Sequence, residues 1–315
     1  MKNSFIRPLK ILVLASALLL GALVAFSFLS PVMYIADSIS HFRLHLTIPL
    51  IMVSILFLAY RKWTRGGILL AVGLVSLLTV NFFAETQPKV QAVEKNDGIT
   101  VVQLNLYYWN KSREKVTELF RKQNADVIVL QEVSKYTQTI LEDLKQDYPH
   151  RIICPYSNEG AVAVLSRFPK VEGDATGCAV RMGLAWLRVS VNGRPVSVAS
   201  IHLDWPYPFD QNKQIEAMSK HLNSIPQPVV LAGDFNAAPW SSAVHRIALA
   251  TKTNVIGGVR FTLKKRILKG LVSIDLPIDH ILKSKELTTQ KIVVGKEVGS
   301  DHFPVISRLV FNTQR

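Results

Sequence analysis

The sequence predicts a layered α/β sandwich carried behind an N-terminal anchor, and three observations predict it. Three uncharged apolar runs lie within the first 84 residues. After them, short apolar runs alternate with amphipathic ones in the order strand, helix, strand, which favours layered α/β over all-β architecture. Six of the later segments then end in, or open a turn with, carboxylate, amide or imidazole side chains. Bulk composition agrees. Of 315 residues 49% are apolar, and the mean hydropathy of +0.22 is too high for one ordinary soluble domain. The length suits about two units.

Residues 11–30, 46–60 and 66–84 carry no charged side chain. A bilayer core takes roughly 20 apolar residues per helix, with a range of about 17 to 25. The first and third runs qualify outright; the second does so once Leu44 and His45 join it or the helix tilts. The expected spans are about 11–32, 44–60 and 66–84, within an anchor over residues 1–84. A cleaved signal peptide is the rival reading of the first run, because Lys2, Arg7 and Lys10 precede it. Against it, the run exceeds the roughly 7 to 15 residues of a signal core, and no small-residue cleavage site stands out.

Orientation follows from the cations. Lys2, Arg7 and Lys10 precede the first span, Arg61, Lys62 and Arg65 fill the loop between the second and third, and the other loop sets Arg43 against Asp37. The positive-inside rule puts the N-terminus and the basic loop in the cytoplasm. Everything after about Ala84 is then periplasmic, attached to a multi-pass anchor in the cytoplasmic (inner) membrane. Seven Lys or Arg and one Asp up to residue 84 account for +6 of the formal +14, leaving +8 beyond it. Such a surface favours anionic partners, nucleic acid, lipid headgroups or envelope polymers, without choosing among them.

Residues 85–98 mix charge, Gln, Pro and Gly without periodicity and read as a linker. A domain over 99–315 follows. Ile99 to Leu106 is a buried strand, Lys111 to Asn124 a helix with Val116, Leu119 and Phe120 on one face, and Ala125 to Glu132 the next strand. Thr137 to Tyr148 is a second helix and Gly160 to Leu165 a strand. Leu184 to Val191 and Arg194 to Leu203 form a hairpin through Asn192-Gly193. Gln211 to Asn223 is helical, Pro228 to Ala232 is a buried strand, and Ile278 to Leu282 and Phe303 to Val310 complete the set. Cys154 and Cys178 fit a disulfide in an oxidising compartment or two buried thiols; isolated, they lack zinc-site spacing.

The six polar stretches are Leu104-Asn105, Gln131-Glu132, His202-Leu203-Asp204, Gly233-Asp234-Phe235-Asn236, Ile278-Asp279-His280 and Ser300-Asp301-His302. A charged or polar group at the end of a buried strand must be paired, solvated or metal-bound. Together they supply what phosphodiester hydrolysis needs: an oriented water, stabilisation of charge at phosphorus, and help for the departing oxygen. Glu132 is a hard oxygen ligand suited to Mg²⁺, and Asn105 can add a carbonyl; alone, Asn105 also fits a turn. Asp234 and Asn236 point to one side with Phe235 into the core, so that the acid can deprotonate a water beside the amide. His202 can donate to a phosphate oxygen, with Asp204 placed to orient it, although a lone strand histidine also suits a core. His302 begins a strand with Asp301, takes Asp279 as tautomer-setting partner, and leaves Asp301 near the metal; His280 faces away.

This ordered set resembles the endonuclease/exonuclease/phosphatase superfamily, and with the three spans it is similar to a membrane-anchored bacterial branch labelled YafD-like. The resemblance runs from about Ile99 to Leu309, and its GDFN and SDH elements are specific. It implies a four-layer α/β/β/α sandwich (DNase I-like), a phosphodiester substrate and Mg²⁺, with Mn²⁺ as the alternative ion. It also implies Asn105, Glu132 and Asp301 as the metal side. Asp234 would activate water, Asn236 and His202 would bind phosphate, and His302 with Asp279 would act as acid/base or stabiliser. Either Asp234 or His302 could take the proton. One departure stands out: Pro277-Ile278 replaces an arginine common in the family before its Asp-His element.

Three functions follow as expectations: a tethered phosphodiesterase such as an endonuclease, a hydrolase of phospholipid or envelope phosphoesters, and a silent membrane scaffold. Lys264, Lys265, Arg266 and Lys269 form either a basic rim for anionic groups or a solvated face.

Overall fold

A computed structural model of the protein describes residues 2–82, 98–157, 160–173, 176–267 and 272–312. The expected linker, apart from Gly98, lies outside the described residues, as does Lys269. The N-terminal part holds α1 (Lys2–Phe26), α2 (Tyr34–Ser40), α3 (Arg43–Ala59) and α4 (Trp63–Phe82). Two stretches, Lys10–Leu29 and Trp63–Val80, are long and apolar enough to cross a bilayer, and three if α2 and α3, bent by 67°, count as one span. Their pattern is inverted relative to a soluble bundle. Ile11, Leu18, Met52, Ile55, Ile68 and Leu78 point outward, whereas Thr47, Ser54 and Ser76 are buried. Thr47 and Ser76 hydroxyls share a hydrogen bond of 2.6 Å between α3 and α4, the polar contact by which membrane helices pair.

The second part is built from two six-stranded sheets. Chain order gives β1 (Gly98–Asn105), α5 (Arg113–Lys122), β2 (Val127–Val133), α6 (Gln138–Asp143), β3 (His150–Ser157), β4 (Gly160–Ser166), β5 (Thr176–Ala179), β6 (Leu184–Val191) and β7 (Arg194–His202). Then come α7 (Gln211–Ser224), β8 (Val229–Asp234), α8 (Ser242–Thr251), β9 (Thr253–Val255), β10 (Leu263–Ile267), β11 (Val272–Leu276), β12 (Asp279–Ser284), β13 (Leu287–Val294) and β14 (Val305–Phe311). The sheets run β13-β14-β1-β2-β4-β3 and β5-β6-β7-β8-β12-β9, with β10-β11 as a separate hairpin. Parallel pairs β1/β2 and β7/β8 sit side by side at the middle of each sheet.

Strand periodicity explains the layers. Val102, Leu104, Ile128 and Leu130 pack under Val116 and Phe120 of α5. Ile201, Leu231 and Phe235 pack under Met218 of α7 and Val244 of α8. The alternate residues, Val101, Val127, Val129, Val198, Val230 and Ala232, meet between the sheets. Helices outside two facing sheets make the four-layer sandwich that the sequence predicts.

The inter-sheet face also carries a polarity gradient. Along β1 the inward positions read Ile99, Val101, Gln103, Asn105; along β7 Val196, Val198, Ser200, His202; along β8 Val230, Ala232, Asp234. The apolar ends form the core and the polar ends gather at one edge, where buried carboxylates and amides must find each other. Both cysteines resolve to one state, a Cys154–Cys178 disulfide joining β3 to β5.

Several expected boundaries shift. The second helix ends at Asp143 rather than Tyr148, and the last strand begins at Val305, so that Asp301 and His302 lie in the loop before it. His302 still bridges to Leu263.

Candidate active site

All eight site residues expected from the sequence converge at the polar edge of the sandwich. Glu132, His202, Asp234, Asn236, Asp301 and His302 line a cleft of about 560 Å³ together with Tyr107, Tyr156, Trp205, Phe209 and Lys265. Asn105 and Asp279 lie buried beneath them.

Glu132 reaches the cleft through a distorted strand. The β2/β4 register shifts between Leu130 and Val133, and Glu132 has φ of 55°, a left-handed conformation rare for a side chain of this size. The bulge re-aims the carboxylate toward the site while Gln131 stays between the sheets. Glu132 Oε2 accepts the Tyr108 N–H at 2.9 Å and Oε1 accepts Asn105 Nδ2–H at 2.9 Å. Burial still raises its pKa, opposed by those hydrogen bonds. Asn105 Nδ2 also donates to Asp234 Oδ2 at 3.0 Å, clasping the two acids, and its Oδ1 accepts the Tyr107 N–H.

Asp234 is delivered by β8, whose Gly233 has no room for a side chain: a Cβ there would lie 1.9 Å from the Ile201 carbonyl oxygen. That close approach brings Asp234 level with His202, its register partner on β7. Asn236, at φ 45°, turns the chain back; its N–H donates to Asp234 Oδ1 and its Nδ2–H to Leu203 O, leaving Oδ1 buried without a hydrogen-bond partner. Burial pushes Asp234 up to about 7 even though the His302 charge pulls it down.

His302 Nδ1 donates to Asp279 Oδ2 at 2.8 Å, and its Nε2 faces Asp234 Oδ2 at 3.7 Å. Burial alone would lower its pKa, but the Asp279 and Asp234 charges outweigh burial and lift it to about 10. Asp279 is held below the ordinary range: burial raises it, and the His302 charge with hydrogen bonds from His302, Thr262 and Gln103 more than reverses that. Asp234, Asp279 and His302 could formally enclose a cation. The Asp279–His302 hydrogen bond engages His302 Nδ1 and leaves its Nε2 facing Asp234.

His202 is neutral, its pKa lowered to about 4 by burial and then by His302. Its Nε2 lies 3.6 Å from Asp234 Oδ2 and 4.0 Å from Glu132 Oε1, and its Nδ1 is buried with no partner. The expected orienting role of Asp204 is not what the structure places there: Asp204 accepts a hydrogen bond from Tyr156, whose ring lies edge-on to that of His202 with centroids 5.1 Å apart. His280 faces away as expected, with Nε2 against Ala237 O.

Sequence reasoning missed a polar layer under the site. Gln103 Nε2 donates to Asp279 Oδ1 at 2.7 Å and to Gln131 Oε1, and Gln131 Nε2 donates to Ser200 Oγ. Ser300 Oγ ties the His302 loop to Asn105 O at 2.7 Å. Gln103, Gln131 and Ser200 sit at inward positions amid apolar neighbours, where a polar residue inside a strand carries no signal of its own in the sequence.

The oxygen donors fit a hard divalent cation. Glu132 and the exposed Asp301 face the cleft, and the lining residues include the lone ammonium of Lys265 against five carboxylates.

Comparison with known proteins agrees with this fold. The chain belongs to the endonuclease/exonuclease/phosphatase family, whose model matches residues 102–302. A UPF0294 protein of Vibrio cholerae is 26% identical over 291 residues, covering 79% of this chain and 97% of that protein. An endonuclease/exonuclease/phosphatase from Bacteroides vulgatus superposes with a TM-score of 0.57 at 15% identity, covering 68% of this chain and 99% of that one. D. rerio TDP2 complexed with a single-strand DNA product gives 0.55 at 16% identity, covering 69% and 99%.

Proposed function

We propose that the protein is a membrane-anchored, divalent-metal-dependent phosphodiesterase with its site on the outer face of the cytoplasmic membrane. The observation that carries this reading is the meeting of Glu132, Asp234 and His302 in one cleft, from the ends of two strands and the loop before a third, far apart in sequence.

Glu132, Asp301 and the remaining lone pair of Asn105 Oδ1 would hold Mg²⁺, with Mn²⁺ suited to the same oxygens. When bound, such a cation polarises a phosphoryl oxygen and offsets charge at phosphorus. The chain's own residues divide the proton work. Asp234, poised near neutrality, accepts the proton of a water that the free Oδ1 of Asn236 orients. His302 remains an imidazolium through neutral pH, fixed by Asp279, and serves as acid or charge stabiliser rather than base. Neutral His202 donates to a phosphate oxygen between the two carboxylates.

Placement of the domain rests on α1, α3 and α4 as spans. The end of α1, the start of α3 and the end of α4 lie at one end of the bundle: Arg43 Nε and Nη2 donate to Ser27, and Leu44 and Val80 pack on Trp240. An up-down-up arrangement gives that geometry. The cationic Arg61, Lys62 and Arg65 belong to the other end, and the disulfide suits an oxidising compartment.

The test is hydrolysis of bis(p-nitrophenyl) phosphate by the full chain in detergent. Turnover with Mg²⁺, loss with EDTA and loss in Asp234→Asn are expected. Turnover that ignores both would reject the reading.

A further inference from the structure

The anchor is joined to the catalytic domain by more than its linker. Asp37 of α2 accepts the N–H groups of Ser242 at 2.9 Å and Ala243 at 3.3 Å, the first turn of α8. Trp240 Nε1 donates to Ser40 O at 2.7 Å, and the Ala238 N–H donates to His41 Nδ1 at 2.9 Å. Three of these four bonds are buried, and together they seize the segment that directly follows the Asp234–Asn236 turn. The helix ends are therefore fixed against the back of the catalytic turn.

Both rims of the cleft also touch the anchor. On one side Ser38 Oγ donates to the Tyr207 carbonyl oxygen at 2.8 Å, within the loop that contributes Trp205 and Phe209 to the lining. On the other, the His45 ring near the start of α3 meets Phe261, just before β10, edge-on at 6.2 Å. Exposed apolar side chains continue from the helix ends onto the rims. Val32, Met33 and Ile35 are exposed on the anchor, and Tyr207, Phe209 and Phe261 on the domain, Phe209 at 63% and Val32 at 78%. Aromatic side chains beside the ends of spanning helices are what the headgroup region of a bilayer accepts. A large apolar patch continuous with spans marks a membrane contact rather than open solvent.

The lining charge limits the ligand. A nucleic-acid strand is bound by cations matched to successive phosphates. Here the lining sets Glu132, Asp204, Asp210, Asp234 and Asp301 against Lys265 and the His302 imidazolium, which already faces Asp234. One phosphate held at the metal side is accommodated; a row of them along this cleft is not. What flanks that phosphate must be apolar enough for Trp205, Pro208 and Phe209.

We infer that the substrate is the phosphodiester of a membrane lipid in the leaflet where the helices end, drawn headgroup-first into the cleft. The inference rests on the phosphodiesterase reading and adds its substrate class. Water oxygen forms a new bond to phosphorus, one ester P–O bond breaks, and Asp234 takes the water proton. The departing alkoxide takes a proton from the His302 imidazolium, so the products are a phosphomonoester and an alcohol.

The experiment reconstitutes the full chain with Mg²⁺ in vesicles of phosphatidylethanolamine and phosphatidylglycerol. Phosphomonoester release is measured beside cleavage of single-stranded DNA and of bis(p-nitrophenyl) phosphate, with Asp234→Asn as control. Lipid turnover is expected to exceed DNA cleavage by about 100-fold, the scale that a mismatched site enforces. Phe209→Asp, at an exposed position that folding tolerates, should lower the ratio of lipid to soluble turnover by about 10-fold. If the soluble ester is hydrolysed in an Asp234-dependent way while lipid stays intact, with or without DNA cleavage, the substrate inference is overturned and the catalytic reading stands. An unchanged ratio in Phe209→Asp also overturns it. If neither soluble ester nor lipid is hydrolysed, both fall.

Discussion

In the proposed reading, the two sides of the cleft solve opposite problems. On the side of β1 and β2, Glu132 and Asp301 keep contact with solvent, and Glu132 is held by one amide and one backbone N–H. On the side of β8 and β12, Asp234, Asp279 and His302 are all buried, and each is locked by a neighbour. A cation must arrive with water and leave with product, so its ligands need an open face. A proton relay gains from dryness, because burial moves an aspartate toward neutrality and neighbouring charge keeps an imidazole protonated. Asn105 joins the two regions through a single amide nitrogen shared by Glu132 and Asp234.

The division is tested most severely on its dry side. Asp234→Asn preserves shape but removes the base, and its single amide oxygen can accept from only one of Asn105 Nδ2 and the Asn236 N–H, so kcat should fall by about 10²–10⁴-fold while the chain still folds. His302→Ala should match it and in addition leave Asp279 as a buried unpaired carboxylate, costing about 3–5 kcal/mol of stability. A mild loss in both would mean that the dry side only supports the fold.

On the open side, Glu132→Gln should act through the metal. The Mg²⁺ concentration for half-maximal rate should rise by roughly 10–100-fold, as loss of a ligand or its support does, with kcat partly restored at saturating ion. Titration of rate against Mg²⁺ reads this directly. An unchanged Mg²⁺ requirement would break the assignment of Glu132 to the open side.

The pH profile separates the sides again. Asp234 must be ionised to accept a proton, and its pKa is raised to about 7, so kcat/KM should fall about tenfold per pH unit below that point. His302 must stay protonated, so the alkaline limb lies near its raised value of about 10. The signs for stability are independent of turnover. His302, raised in the fold, stabilises fully below the ordinary imidazole value and loses this as pH climbs through about 10. Asp279, depressed, stabilises above the ordinary carboxylate value and loses this in acid. A Glu132→Gln variant should keep the acid limb where it is, whereas His302→Ala should move it upward by removing a positive neighbour.

The same contrast governs what could be read from sequence. The catalytic strands β1, β2, β7 and β8 are buried on both faces, so they stand out as apolar runs, and their polar ends stand out against them. Edge strands do not. β3 and β13 have one largely solvated side, with Arg151, Lys291 and Val293 among residues not buried, and their mixed sequence shows no clean alternation. The β10–β11 hairpin hid behind its cations: Lys264 and Lys265 are exposed while Leu263 packs with Leu276 and Ile278. The eight site residues were legible because each ends, opens or closely flanks a buried strand; the Gln103–Gln131–Ser200 layer was not, because amides and a hydroxyl within a strand resemble tolerated polar substitutions. The bond between anchor and catalytic turn depends on α2, too short and too mixed in polarity to be assigned a role.

That bond gives the finest test, because it asks whether the dry side needs support from outside its own domain. His41 Nδ1 accepts the Ala238 N–H four residues after Asp234, so the histidine is a positioning residue with no reach to substrate. His41→Ala strands that N–H and should lower kcat about 10-fold, for a loss of about 1–2 kcal/mol in holding the turn, with KM nearly constant. An asparagine places Oδ1 where the imidazole holds Nδ1, so His41→Asn should recover most of the lost rate. The comparison uses bis(p-nitrophenyl) phosphate, which does not depend on how lipid reaches the cleft. Equal activity in His41→Ala and the unaltered chain would show that the turn is rigid without the anchor; a parallel loss in Ala and Asn variants would show that ring packing, and not the acceptor, is what matters there.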